Sequence, residues 1–114
     1  MHSLLTKTTI TATACGLAFL LAGTRLSAAK PGDAKKGKEV FEQCQVCHNS
    51  DSEEKKIGPG LKGLFKRKTL VNGKAVSEDN VRALINAGGN GMPSFMDLLS
   101  DDERDDVIAF LKTL

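Results

Sequence analysis

Apolar residues recur three and four positions apart in three separate stretches of the chain, which is the spacing of amphipathic helices. The first stretch follows Asp33, a residue type favoured as a helix N-cap. Gly37, Val40, Phe41 and Cys44 then stand at i, i+3, i+4 and i+7, on one helical face. The pattern predicts a helix that begins after Asp33 and includes Cys44.

Two further helices are predicted in the second half of the chain. One starts near Ser77 and stops at the glycine pair Gly88 and Gly89, which suits a C-terminal cap. The other opens with Ser100 and has Glu103 three residues later, the spacing of a capping box. Their apolar faces consist of Val81, Leu84 and Ile85 in the earlier helix and of Val107, Phe110, Leu111 and Leu114 in the later one.

The segment between the first and second predicted helices, residues 49–76, has no periodic pattern. Glycine and proline interrupt it repeatedly, which forbids long regular elements. No alternation of apolar and polar residues indicates a sheet anywhere in the chain. The fold predicted from these patterns is small and all-α. The interrupting residues are Gly58, Pro59, Gly60, Gly63 and Gly73.

Residues 1–29 have the composition of a cleavable signal peptide. Lys7 precedes an uncharged, apolar run of 14 residues at positions 10–23, and small residues follow at Ser27 and Ala29. Cleavage after Ala29 would leave residues 30–114 as one domain. An uncleaved anchor is the alternative, although the run is short against the roughly 20 residues of a spanning helix. The mature domain is therefore expected to be periplasmic, with no stable membrane span.

Removal of the leader changes the charge balance. The whole chain has a formal charge of +2, but Lys7 and Arg25 belong to the leader, so residues 30–114 carry 14 basic and 14 acidic residues. A balanced domain of this size is not expected to bind nucleic acid. With at most five Phe and no Trp or Tyr, its core is small, so another apolar group must complete it.

The charges are distributed unevenly along the mature chain. Positions 55–74 contain seven basic residues and no acid, whereas positions 97–106 contain six acids and one Arg. Such runs are usually solvated faces. The basic run could also be a docking surface for acidic partners, provided that it borders the functional centre.

The sequence from Cys44 to His48, Cys-Gln-Val-Cys-His, is typical of covalent haem attachment. Two thiols on one helical turn can form thioethers with the haem vinyl groups, and the histidine that follows can bind the iron. A redox dithiol would need an α/β pattern that is absent, and a zinc site lacks a fourth Cys or His in the mature chain. A disulfide between Cys44 and Cys47 would leave His48 unexplained.

Met92 and Met96 are the candidates for the second axial position on the iron. Met92 lies between Gly91 and Pro93, where a glycine lets the backbone approach a flat cofactor. Met96 follows Phe95 and is adequately explained by ordinary packing. Met92 is therefore the predicted ligand. With both axial positions filled, the iron suits electron transfer rather than catalysis, and a five-coordinate sensor or enzyme would require that Met92 not bind.

Taken together, these motifs resemble the small bacterial monohaem cytochromes c of the mitochondrial-cytochrome-c-like class over residues 33–114. The resemblance implies about three helices wrapped around one covalently attached haem. The matching segments are Gly-Asp-Ala-Lys-Lys-Gly-Lys-Glu-Val-Phe ending at residue 41, the haem-attachment sequence, Ile-Gly-Pro-Gly-Leu-Lys-Gly-Leu-Phe ending at residue 65, Gly-Met-Pro-Ser-Phe ending at residue 95, and Val-Ile-Ala-Phe-Leu-Lys-Thr-Leu ending at residue 114.

The resemblance also implies roles for individual residues. Gly37 and Phe41 would pack against Phe110 where the first and last helices cross. The carbonyl of Pro59 would accept the Nδ1 proton of His48. Arg67 would lie near a haem propionate, with a solvated charge as the alternative.

The protein is predicted to be a periplasmic carrier of single electrons. Its haem iron would be bound by His48 and Met92, and the protein would have no catalytic activity of its own. Its partners would be redox proteins with acidic docking surfaces. The alternative is a cytochrome subunit permanently bound to a dehydrogenase or oxidase.

Overall fold

The computed structural model describes residues 30–114, and the predicted signal peptide lies outside them. Three α-helices and two short 3-10 helices account for the regular structure, and no β-strand occurs among the described residues. The all-α prediction is therefore confirmed. The elements are α1 (Ala34–Val40), a 3-10 helix (Phe41–Val46), a second 3-10 helix (Leu64–Lys66), α2 (Glu78–Ala87) and α3 (Asp101–Leu111).

Each α-helix begins at the polar residue that the sequence indicated. The Asp33 carboxylate accepts hydrogen bonds from the first amides of α1. The Ser77 hydroxyl accepts from an amide of the first turn of α2. At α3 the reciprocal capping box is complete, because Ser100 and Glu103 each accept from the other's backbone. These contacts satisfy amides that have no partner inside the helix.

Helices α1 and α3 cross where a glycine allows their backbones to meet. A Cβ atom on Gly37 would lie 1.9 Å from the carbonyl oxygen of Asp106 and 2.9 Å from Cβ of Phe110. Beside this contact the rings of Phe41 and Phe110 stack at a tilt of 53°, with centroids 5.2 Å apart. The packing of Gly37 and Phe41 against Phe110 is therefore confirmed.

The predicted first helix ends earlier than its sequence pattern suggested. From Phe41 the backbone tightens into a 3-10 helix that continues to Val46, so Cys44 lies beyond α1 and not on it. The amides of Cys47 and His48 both donate to the carbonyl of Cys44, at 3.1 and 2.9 Å. This tightening satisfies carbonyls at the helix end, a common use of 3-10 geometry.

The core lies among the three helices and the loop that joins α1 to α2. Phe41 and Val107 are its most deeply buried side chains. Leu64 and Leu70 come from the loop, so this segment belongs to the folded core despite its lack of long elements. Within residues 30–114, no helix combines the length and apolar character that a membrane crossing needs. The remaining core residues are Val81, Ile85, Ile108 and Leu111.

Candidate haem site

The two cysteines of the attachment sequence lie on a single tight turn. The 3-10 helix places Cys44 and Cys47 one turn apart, and both side chains are free thiols and partly buried. Cys44 also packs against the hydrophobic core. Burial raises the pKa of the Cys44 thiol to about 11, and the neighbouring charge of Cys47 adds to the rise. At neutral pH the Cys44 sulfur is therefore protonated and behaves as an apolar group.

The imidazole of His48 is held by the loop that follows it. Its Nδ1 atom lies 2.8 Å from the carbonyl oxygen of Pro59. Gly58 lies against the ring, since a Cβ at this position would be 2.5 Å from His48 Cε1. The amide of Gly58 donates to the carbonyl of Cys47 at 2.8 Å. With Nδ1 donating to Pro59, Nε2 is the nitrogen left with a lone pair for a metal.

This set of donors fits a covalently bound haem. Cys44 and Cys47 supply two thiols for thioether bonds, and His48 supplies an oriented imidazole from the same turn. No cluster of three or more Cys, His, Asp or Glu side chains that could hold a bare metal ion occurs among residues 30–114. Two thiols and one imidazole on a single turn are the donors that a covalently attached haem uses.

Met92 lies in a short loop that is closed by two backbone hydrogen bonds between Gly89 and Met92. The amide of Gly89 donates to the carbonyl of Met92 at 2.9 Å, and the amide of Met92 donates back to Gly89 at 3.0 Å. Gly88 has a φ of 65° and approaches so closely that a Cβ would lie 2.4 Å from the Met92 carbonyl oxygen. The Met92 side chain is partly buried and packs against the core.

Met96 does not pack as its position beside Phe95 suggested. Its side chain is 56% exposed, whereas Phe95 is partly buried and contacts the core. The chain turns after Phe95, where the amides of Leu98 and Leu99 both donate to the Phe95 carbonyl. This turn leaves the Phe95 side chain against the core and the Met96 side chain exposed to solvent.

The Arg67 side chain forms hydrogen bonds with backbone carbonyls of the loop to which it belongs. Its Nη2 atom donates to the carbonyl of Gly60 at 2.8 Å and to that of Lys62 at 2.7 Å. The side chain is partly buried and is therefore not the freely solvated charge considered from the sequence. The sequence offered no signal for this contact, because the two carbonyls belong to an aperiodic segment.

Lys56, one residue of the basic run at positions 55–74, borders the attachment turn. Its Nζ atom donates to the carbonyl of Gln45 at 2.7 Å, which places this cation beside the two cysteines. Val46 follows Gln45 and Ile57 follows Lys56 along the chain, and they are 65% and 71% exposed. Positive charge and exposed apolar surface therefore meet at the turn that carries the thiols.

Two buried residues of α3 were missing from the predicted apolar face. Ile108 belongs to the core, and Arg104 is only 6% exposed. Their spacing to the predicted residues follows the helical repeat, since Arg104 lies three positions before Val107 and Ile108 lies three positions before Leu111. A helical wheel could have found both, but a charged residue is not assigned to a buried face without knowledge of its partners.

Comparison with known proteins gives consistent matches. The Cytochrome c family profile matches residues 34–114. Cytochrome c2 of Blastochloris viridis is 42% identical over 67 residues, which cover 57% of this chain and 51% of that protein. Cytochrome c of Stellaria longipes is 33% identical over 101 residues, which cover 73% of this chain and 94% of that protein.

A solved structure has the same fold. Cytochrome c6 of the diatom Phaeodactylum tricornutum superposes with a TM-score of 0.57 at 28% identity. The superposition covers 72% of this chain and 93% of that one. The chain thus spans about half the length of the cytochrome c2 that it matches and nearly all of the cytochrome c and cytochrome c6.

Proposed function

Because this chain belongs to the cytochrome c family, we propose that it is an exported carrier of single electrons whose haem iron is bound by His48 and Met92. The family establishes the broader part of this statement. Its members carry haem c covalently and transfer electrons, and they are not enzymes. The location, the ligand pair and the partners are the parts proposed here.

Cys44 and Cys47 are proposed to form the thioether bonds, and His48 to bind the iron from the same turn. When bound, the haem supplies a ferric and ferrous couple that gains and loses one electron. The chain orients the imidazole through the 2.8 Å contact between His48 Nδ1 and the Pro59 carbonyl. This contact fixes the tautomer and increases the basicity of Nε2. It is the single observation that carries the ligand assignment for His48.

Met92 is proposed as the second ligand because its side chain faces the core from a glycine-bounded loop. A thioether ligand raises the reduction potential of haem iron relative to other axial ligands. Two filled axial positions also leave no site for oxygen or peroxide. Both consequences suit a carrier that passes electrons without chemical change to a substrate.

The test of this ligand pair is an optical spectrum with and without reductant, followed by redox titration. Met92→Ala should abolish the iron–thioether charge-transfer band and lower the reduction potential. Met96→Ala is the matched control, because Met96 is the same residue type four positions away and 56% exposed. A band that survives in Met92→Ala and is lost in Met96→Ala would transfer the ligand role to Met96.

The basic run at positions 55–74 is proposed as the docking surface for acidic redox partners. Support comes from Lys56, whose ammonium group lies 2.7 Å from the Gln45 carbonyl within the attachment sequence. Positive charge beside the haem-attachment turn would steer acidic partners to this surface. Salt would screen this attraction over distances longer than the Debye length, about 8–10 Å at physiological ionic strength.

The oxidation of the reduced protein by anionic hexacyanoferrate(III) tests this docking surface. The rate should fall as ionic strength rises, and Lys56→Glu should reduce both the rate and its salt dependence. Lys36→Glu makes the same charge change beside Asp102 and Asp105, away from the attachment turn, and should have a smaller effect. Rates that are indifferent to salt in the wild type would contradict the proposal.

Export to the periplasm is proposed from the composition of residues 1–29. The mass of the protein recovered from a periplasmic fraction tests it directly. Cleavage after Ala29 would give a product that begins at Lys30. A full-length chain retained in the membrane fraction would favour the anchor instead.

A permanently bound cytochrome subunit is the second candidate function. Val46 and Ile57 favour it, since they are 65% and 71% exposed beside the attachment turn and could be covered by a larger partner. Affinity purification of the exported protein under gentle conditions separates the two functions. Stoichiometric recovery of a dehydrogenase or oxidase would support the subunit, and recovery of the cytochrome alone would support the carrier.

A further inference from the structure

Arg104 is the one charged residue that is buried among residues 30–114. Its side chain lies on α3 and is 6% exposed, one turn before the buried residues Val107 and Ile108. Asp101 pairs with it in a salt bridge, but that carboxylate is itself 85% exposed. Its Nε atom has no hydrogen-bond partner in the described part of the chain. Burial of a charge with so little ionic compensation is costly, and this arrangement requires an explanation beyond charge pairing.

The guanidinium group reaches back over the start of α3 to two backbone carbonyls. Its Nη1 atom donates to Met96 at 2.6 Å and to Leu99 at 2.9 Å. Both carbonyls precede the first residue of α3, so neither accepts a bond within that helix. Nη1 carries two N–H donors and so can serve both acceptors, while Nη2 of the same planar group pairs with Asp101.

The two carbonyls that accept hydrogen bonds from Arg104 belong to the segment that contains Met92. We define the methionine arm as residues 88–99, which run from the end of α2 to the start of α3. Its middle is tied to α2, because the Ser94 hydroxyl donates to the carbonyl of Asn86 at 2.6 Å and the Phe95 amide donates to that of Ile85 at 3.0 Å. Its last four residues, Met96 to Leu99, are tied to α3 by Arg104.

We propose that Arg104 is a positioning residue for Met92, which fixes the methionine arm to α3 and thereby keeps the thioether in place to bind the haem iron. This inference rests on the proposed ligation by Met92. The hydrogen bonds and the salt bridge of the Arg104 side chain go to backbone carbonyls and to Asp101 and not to Met92, so it acts through the arm. Loss of its two bonds would release Met96 to Leu99 from α3 and leave the ties to α2 to hold the arm, and Met92 with it, alone.

The predicted effect is an increase in the population with the arm displaced from the iron. Arg104→Lys replaces Nη1, which donates to both carbonyls, by the ammonium group of a shorter and more strongly hydrated side chain. We expect roughly a tenfold change in that population, which corresponds to about 1.4 kcal/mol. An external ligand that can bind only the displaced state would then bind roughly tenfold more tightly, since its apparent affinity scales with the competent fraction.

The test is a titration of the ferric haem-loaded protein with imidazole, which competes with the thioether for the iron. The apparent dissociation constant should fall roughly tenfold in Arg104→Lys. Arg82→Lys is the matched control, because it makes the same change at an Arg whose salt bridge is with Asp105 of α3 and not with the arm. Its imidazole affinity should stay within about twofold of wild type.

The outcomes separate this inference from the ligand assignment on which it rests. If the iron–thioether band is absent from the wild type or survives in Met92→Ala, ligation by Met92 is wrong and so is the positioning role of Arg104. If the band is lost in Met92→Ala and imidazole affinity is unchanged in Arg104→Lys, Met92 remains the ligand and only the positioning role is overturned. A lower thermal stability with unchanged imidazole affinity would likewise show that Arg104 supports the fold alone.

A second variant serves in case the buried lysine prevents folding. Arg104→Met fills a similar volume without burying a charge, and the Asp101 carboxylate that it leaves without a partner is 85% exposed and therefore solvated. It also removes both bonds to the arm, so the same rise in imidazole affinity is expected. Unchanged affinity in this variant would contradict the proposal as directly as in Arg104→Lys.

Discussion

Replacement of Gly37 by alanine has two opposite effects on stability, a gain from the higher helix propensity of alanine and a loss from the steric clash between α1 and α3. In an isolated helix Gly→Ala is stabilising by about 1 kcal/mol, because alanine has the higher helix propensity. In this fold the added Cβ would lie 1.9 Å from the carbonyl oxygen of Asp106 and 2.9 Å from Cβ of Phe110. The nearest neighbour is backbone, which cannot rotate away.

The size of the effect follows from these distances. The two helices would have to separate by about 1.5 Å at this point, the difference between 1.9 Å and the 3.4 Å at which ordinary contact begins. Overpacking of this kind costs about 1–3 kcal/mol. Loosening of the Phe41–Phe110 pair adds about 0.5–1.5 kcal/mol. After subtraction of the gain in propensity, the net loss is about 2 kcal/mol, or about 10 °C in Tm for a domain of this size.

Thermal and urea unfolding of the haem-loaded protein, followed by circular dichroism, measure this loss. Ala83→Gly calibrates the propensity term, because Ala83 lies on the exposed side of α2 and its substitution should cost about 1 kcal/mol. Gly37→Ala should therefore destabilise the protein more than Ala83→Gly does. A Gly37→Ala variant as stable as the wild type would refute the close approach of α1 and α3.

Three further predictions concern the core, the caps and the cofactor. Phe41→Ala, at a side chain 1% exposed, should lower the free energy of unfolding by about 3–5 kcal/mol in urea titration, and a loss below about 1 kcal/mol would contradict its place in the core. Backbone hydrogen bonds lower the pKa of Asp33 from 3.8 and that of Glu103 from 4.5, so their contribution to stability is present above these values and is lost as pH falls through the lower folded values. Unfolding measured between pH 6 and pH 2 should show this loss, and it should be smaller when both residues are alanine; equal slopes would argue against the caps. Without haem the small core should not fold, so circular dichroism of Cys44→Ala/Cys47→Ala should show little helix, and a fully helical spectrum would refute the structural role of the cofactor.

Helix starts were predictable from sequence because each depends on a local contact. Asp33, Ser77 and Ser100 cap helices whose first amides lie two or three residues away, so the residue type and its spacing carry the information. The haem-attachment sequence is local in the same sense. The tightening of the backbone at Phe41 was not predictable, since its apolar spacing continues the helical pattern beyond the point where α1 ends.

Contacts between segments distant in the sequence could not be predicted from the sequence patterns. Arg67 and Arg104 each donate to backbone carbonyls of a loop, and any residue type provides such an acceptor. Their acceptors therefore leave no trace in the sequence. The exposure of Met96 has a similar origin, because a turn after Phe95 decides which of two adjacent apolar residues faces the core.

Mass spectrometry of the protein recovered from the periplasm tests the central claim most directly. The account predicts one peptide that contains both Cys44 and Cys47 and carries the mass of a covalently attached haem. The bare peptide with two alkylatable thiols, in protein exported under conditions that support haem attachment, would contradict it.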